Sequence, residues 1–175
     1  DYLSIDASGF PNSLFNRTDT VSVTAWVRPQ VASAGEQAVI SKGASIGGGA
    51  SGYAMSLAAN PNDFSSYFYI NGTYCASGTV ASGVGDWHFV GGGYDKASGQ
   101  RSCITDGDLN TSNLPASTGI GSNGTNPLLI GAESVGGTLQ RHLEGILDEV
   151  IVYSAPLGTA GLCNAYLAFC SNNTV

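Results

Sequence analysis

Apolar and polar residues alternate with a period of two along most of the chain, in short runs cut by clusters of Gly, Asn, Asp and Ser. A strand sends successive side chains to opposite faces, so this pattern predicts many short strands, each with one face toward a core. The clearest run puts Val21, Val23, Ala25 and Val27 on one face and Ser22, Thr24 and Trp26 on the other. An indole on the polar side predicts that the sheet is covered on both faces near Trp26. Further strands are predicted over 38–42, 53–58, 66–70, 87–94, 101–105, 128–132 and 147–153. Asn71-Gly72 and Asp106-Gly107 supply residues that tolerate positive φ in tight hairpins. Asp95 to Gly99 reads as a longer polar hairpin loop, and Gly47 to Gly49 as a surface loop. Helical spacing occurs once, after Pro156. Leu162, Tyr166, Leu167 and Phe169 predict one short amphipathic helix starting near Gly158 or Thr159, packed across a sheet edge or a barrel end. No repeat, charge block or linker divides the sequence, so residues 1–175 read as a single domain.

Composition narrows the partners. With 42% hydrophobic residues the chain has material for a sizeable core, while charged residues make up only 11% against a usual share of about 25%. The net charge is -7 and Lys42 and Lys96 are the only lysines, so no basic stripe exists to neutralise phosphates and nucleic acid is excluded as a partner. No apolar run approaches the ~18 residues of a spanning helix.

Cys75, Cys103, Cys163 and Cys170 lack the close paired spacing of a zinc ribbon or a redox motif and read as disulfide cysteines. Of the three pairings open to four cysteines, Cys75 with Cys103 and Cys163 with Cys170 is favoured, because the first two lie in neighbouring β segments and the last two in one terminal segment. A continuous helix would hold the last pair roughly 10 Å apart along its axis, beyond the ~7 Å limit between bridged Cα atoms. That pairing therefore requires the helix to end before Cys170 and fold back. N-glycosylation triplets begin at Asn16, Asn71, Asn110, Asn123 and Asn172. Together with the cysteines and the weakly charged surface, they predict a secreted, extracellular glycoprotein whose surface is covered by glycan or by neighbouring subunits.

Three segments together resemble a LamG-like jelly-roll domain of the concanavalin A-like lectin and glucanase superfamily. The first is Asp1-Tyr2-Leu3-Ser4-Ile5 followed by the strand Val21 to Pro29. The second is Gly85-Asp86-Trp87-His88-Phe89-Val90 with Gly93-Tyr94-Asp95 and Ile104-Thr105-Asp106-Gly107. The third is Glu144 to Tyr153, carrying Asp148-Glu149-Val150, with Ala155-Pro156-Leu157. The resemblance implies an all-β sandwich of two antiparallel sheets closed by one short C-terminal helix. It also implies an opening strand that is short or completed by another polypeptide.

Because the superfamily includes glycoside hydrolases, the carboxylates need testing against that chemistry. Retaining enzymes hold two carboxyl groups about 5.5 Å apart and inverting ones about 6.5 to 9.5 Å. On one strand Glu144 and Asp148 would stand roughly 13 Å apart, and Glu149 would face the other way. The hydrolase pattern Glu-x-Asp-x-x-Glu is absent, as is any nucleophile-elbow serine. No catalytic residue is assigned, and His88, opposite in parity to Trp87 and Phe89, reads as a structural sheet residue. Related jelly rolls often hold calcium. Asp1, Asp148 and Glu149 are the available oxygen ligands for a structural calcium ion, and no cofactor is otherwise required. Phe64, Tyr67, Tyr69 and Tyr74 surround the Asn71-Gly72 hairpin and are the aromatic candidates for contact with a glycan.

Two functions follow from these readings. The leading one is a non-catalytic structural module that self-associates with identical subunits in an extracellular filament or surface assembly. The alternative is a carbohydrate-binding, lectin-type module, with calcium as its candidate ion.

Overall fold

A computed structural model describes residues 1–5, 15–33, 35–43, 46, 51–81, 83–121 and 126–172, with side chains as far as residue 168 in the terminal helix. In chain order the strands are β1 (Leu3–Ile5), β2 (Thr20–Pro29), β3 (Gln37–Lys42), β4 (Tyr53–Ala59), β5 (Phe64–Ile70), β6 (Thr73–Ala76) and β7 (His88–Asp95). They continue as β8 (Gln100–Thr105), β9 (Asp108–Asn113), β10 (Leu128–Ile130), β11 (Glu133–Val135), β12 (Thr138–Gln140) and β13 (Gly145–Tyr153), and helix α1 (Gly158–Asn172) closes the chain. A six-stranded sheet ordered β1-β10-β3-β4-β5-β6 faces a five-stranded sheet ordered β13-β2-β7-β8-β9, and β11 and β12 form a separate hairpin. All of these pairings are antiparallel. This is the jelly-roll sandwich that the period-two pattern and the resemblance imply.

The core lies between the sheets. Val21, Val23, Ala25 and Val27 of β2 meet Tyr53, Met55 and Leu57 of β4 and Phe68 and Ile70 of β5 in one buried cluster. The disulfide Cys75–Cys103 joins β6 to β8 across the two sheets, with a Cα separation of 6.1 Å, as the sequence favours. Gly91 and Gly92 of β7 serve opposite faces. A Cβ on Gly92 would lie 2.2 Å from Cγ of Phe68, and one on Gly91 would lie 3.1 Å from Cδ2 of Leu162. The bare backbone of β7 thus admits the Phe68 ring from inside and the helix from outside.

Helix α1 begins at Gly158, as predicted, but its position and its end both depart from expectation. It packs on the outer face of the five-stranded sheet rather than across an edge. There Leu162 is fully buried with Phe89 and Ile104, flanked by Trp26 and Tyr166. The reason is that Trp26, Phe89 and Ile104 all point away from the inter-sheet core and need an apolar cover. The helix then runs on through Cys170 to Asn172 without folding back, and Cys163 carries a free thiol. The expected Cys163–Cys170 bridge is not made, because an unbroken helix keeps those Cα atoms roughly 10 Å apart. The side chain of Cys170 lies outside the described residues, as does the Gly47 to Gly49 loop.

Candidate functional site

Parity along β5 decides which aromatics can meet a ligand. Phe64, Ser66, Phe68 and Ile70 point into the sandwich, and Ser65, Tyr67 and Tyr69 point to the outer face of the six-stranded sheet. Phe64 is therefore not a glycan-contact residue. It is fully buried and stacks on the His88 ring at 4.1 Å. Tyr74 of β6 lies opposite Tyr69 in the ladder. It sits 5.5 Å from Tyr67 edge-on and 5.4 Å from Tyr69 in a tilted pair, measured between ring centroids. The cluster grades from inside to outside: Tyr69 is buried, Tyr67 half-buried, and Tyr74 53% exposed. Ala54 and Ser56 on the neighbouring β4 are fully buried in that outer face, and Ile46 packs with Ala54 and Tyr69 in one cluster against which Tyr67 rests.

Beneath the rings is a carboxylate that sequence reasoning did not single out. The Tyr69 hydroxyl donates to Glu36 Oε1 at 2.9 Å and Oε2 at 2.8 Å, and the Ser56 hydroxyl donates to Oε2 at 2.5 Å. Burial, followed by the hydrogen bond and charge of Glu36, pushes the Tyr69 phenol well above its usual range, so it stays a donor. Glu36 also forms one wall of a cavity of about 270 Å³, whose lining includes Ser33, Gln37, Arg141, His142 and Glu144. Gln37 Oε1 accepts the Glu144 amide at 2.7 Å, which ties the two sides of the cleft together. Arg141 adopts a left-handed backbone (φ 50°) and donates through Nη1 to Glu133 Oε2 at 2.5 Å. Glu133 is fully buried, and its other oxygen accepts the Ile46 amide at 2.5 Å. Glu36, Ser56 and Arg141 give no periodic signal, since two lie in loops and the third is a serine in an otherwise apolar strand.

The calcium ligands expected from the resemblance do not come together. Among the described residues no group of three His, Cys, Asp or Glu side chains could hold a metal ion. Asp148 and Glu149 sit at a bulge in β13, where the register with β2 shifts between Asp148 and Ile151. Glu149 takes a positive φ of 49° there, and its amide donates to Asp148 Oδ1 at 2.8 Å. Glu144, which precedes β13, belongs to the cleft instead.

The described asparagines of the glycosylation triplets differ in setting. Asn71 is bound into the structure: Nδ2 donates to the Gly119 carbonyl at 2.8 Å, and Oδ1 accepts the Gly121 amide at 2.8 Å and the Gly52 amide at 3.1 Å. Asn110, on the exposed strand β9, donates to the Ala76 carbonyl at 2.9 Å, and Asn16 is half-buried. Asn123 and the side chain of Asn172 lie outside the described residues.

His88 has the structural setting its parity predicts. Nδ1 lies 2.6 Å from Asp106 Oδ2 and Nε2 lies 3.2 Å from the Gly83 carbonyl, so only the doubly protonated ring satisfies both acceptors. Asp106 Oδ1 also accepts the Phe89 amide at 2.7 Å. Burial pulls the His88 pKa down, but the hydrogen bonds to Asp106 and Gly83 and the charges of Asp106 and Asp86 outweigh it and hold the value above 6.5. A pKa raised by folding adds stability in full below the unfolded value, and that stability fades as pH rises through the folded value. The melting temperature is therefore expected to fall as pH climbs from about 6 into the alkaline range. Asp106→Asn should flatten that slope. Thermal melts of both proteins across this window check it, and a wild-type profile as flat as the variant's would contradict it.

Two facing antiparallel sheets, a helix on the back of one and an aromatic face with a carboxylate-lined cleft on the other define a concanavalin A-like β-sandwich. The chain belongs to the concanavalin A-like lectin/glucanases superfamily, whose laminin-G-type family model matches residues 4–162. Solved structures share the fold at low sequence identity. A native heptameric SAP-like pentraxin from Limulus polyphemus is 14% identical with a TM-score of 0.69, the alignment covering 94% of this chain and 81% of that one. The CBM40 of the Ruminococcus gnavus IT-sialidase, bound to α2,3-sialyllactose, is 16% identical with a TM-score of 0.70, covering 93% and 91%. A putative carbohydrate-binding protein from Bacteroides ovatus is 15% identical with a TM-score of 0.66, covering 93% and 43%. No curated protein matches the chain in sequence.

Proposed function

We propose that this chain is a carbohydrate-binding module of lectin type, which seats a sugar ring on Tyr74 and Tyr67 and turns its hydroxyls toward Glu36. The observation that carries this reading is the exposed Tyr74 ring standing next to the Tyr69–Glu36 pair at the side of an open cleft. Flat apolar rings beside a fixed acceptor suit a pyranose, which offers an apolar face of C–H groups and a rim of hydroxyl donors. The solved structures with sialyllactose and the putative carbohydrate-binding protein lend weight to this reading over a filament or surface subunit. The Cys75–Cys103 bridge supports a secreted or surface location, since such bonds persist in oxidising compartments.

Screening on a glycan array followed by titration calorimetry tests the proposal. Tyr74→Ala is expected to weaken binding about fivefold to tenfold, because a lost aromatic contact is worth on the order of 1 kcal/mol. Its thermal stability should stay close to wild type, as Tyr74 is half exposed. Binding unchanged in Tyr74→Ala and in Tyr67→Ala would remove the sugar from this face.

A further inference from the structure

Resting on the carbohydrate reading, we infer that the site selects uncharged sugars and rejects those that carry a carboxylate, sulfate or phosphate. The ground is the balance of charge around the cleft. Glu36 and Glu144 both line it. The one arginine or lysine that lines it, Arg141, is held by the buried carboxylate of Glu133. An acidic sugar normally needs a guanidinium or ammonium free to pair with its anion, and a fork-shaped arginine contact is the strongest of these.

No other arginine or lysine lines the cleft, and each is engaged elsewhere. Arg17 is bonded to the Thr20 and Ser154 carbonyls, Arg28 to Gly85, and Lys96 to Asp19. Lys42 is buried and donates to the Asn126 carbonyl. Arg101 is buried and points into the sandwich, where Nη1 meets the Thr73 hydroxyl at 2.8 Å. With Arg141, these five make up all six Lys and Arg residues of a chain whose net charge is -7. An anionic sugar at the tyrosine cluster would therefore meet the Glu36 carboxylate bonded to Tyr69, with Glu144 further along the adjoining cleft, and a surrounding field of the same sign.

Glu36 makes the same point from the attractive side. It already accepts from Tyr69 and Ser56, which fixes it in one orientation. A carboxylate has about four lone-pair directions, so it retains capacity for a further hydroxyl donor. Sugar hydroxyls donate; a carboxylate or sulfate of a ligand only accepts. The same group thus rewards neutral sugars and repels acidic ones, which is how a single fixed charge sets specificity by repulsion as well as by contact.

The experiment is a glycan array that prints neutral oligosaccharides beside their sialylated, uronic and sulfated counterparts, followed by calorimetry on the best matched pair at low and physiological salt. The neutral member is expected to bind at least tenfold more tightly, with the gap narrowing as salt screens the repulsion. Glu36→Gln, which keeps an oxygen to accept from Tyr69 and Ser56, should weaken the neutral sugar and reduce the gap. An acidic member that binds as well as its neutral partner overturns the inference and leaves carbohydrate binding standing. So does a gap unchanged in Glu36→Gln. Binding to no glycan of either kind overturns the carbohydrate reading itself and this inference with it.

Discussion

Gly92→Ala is expected to destabilise the protein by about 3 kcal/mol, the upper part of the range for overpacking a well-filled core. The new methyl group would sit 2.2 Å from Cγ, 2.3 Å from Cδ2 and 2.5 Å from Cβ of Phe68, and the ring cannot retreat because it is fully buried between the sheets. At about 2–4 °C per kcal/mol for a chain of this size, the melting temperature should drop by roughly 6–12 °C. A double-mutant cycle identifies the cause. Phe68→Leu alone should destabilise, yet in the Gly92→Ala background it should cost far less or recover stability, because the two positions share one space. Strictly additive losses would show that the clash is relieved elsewhere.

Removing the disulfide is expected to have a comparable effect. Cys75→Ala with Cys103→Ala opens a closure between residues 28 apart in sequence, for which the chain-entropy account gives roughly 3 to 4 kcal/mol. Both cysteines are buried, and β6, the strand that the bond anchors, is the edge strand carrying Tyr74. Loss of the bond should thus weaken the proposed sugar binding as well as lower the melting temperature, linking a core bond to the candidate ligand face. Thermal melts of the wild type with and without reductant, beside the double variant, check this. A reduced protein that melts where the oxidised one does would assign the bond no stabilising role.

Much of the sandwich could be read from residue parity. The alternation from Val21 to Val27, the outward Trp26 and the two positive-φ hairpins at Asn71 and Asp106 all stand where the pattern puts them. Strand β9, Asp-Leu-Asn-Thr-Ser-Asn, escaped notice because most of its residues are polar and it is a strand by its ladder with β8 rather than by its own apolar face. The helix position depended on Gly91, whose missing side chain gives Leu162 its seat, and such a long-range fit leaves no local signature. At the site, the tyrosines announced themselves as aromatics. Phe64 did so falsely, since it is three positions from Tyr67 and so faces the core. Glu36 and Arg141 acquire their importance only when the sheet brings distant loops together, which no spacing in the sequence encodes.

The bulge in β13 bears on how these molecules behave when crowded. This strand is one rim of the five-stranded sheet, and an unguarded rim invites a foreign strand to dock and begin aggregation. Here the Glu149 amide is already taken by Asp148, the backbone turns aside at a positive φ, and two carboxylates stand at the break. A docking strand would lose its register at that point and meet negative charge as it did so. That rim is therefore guarded against runaway β-addition by a foreign strand.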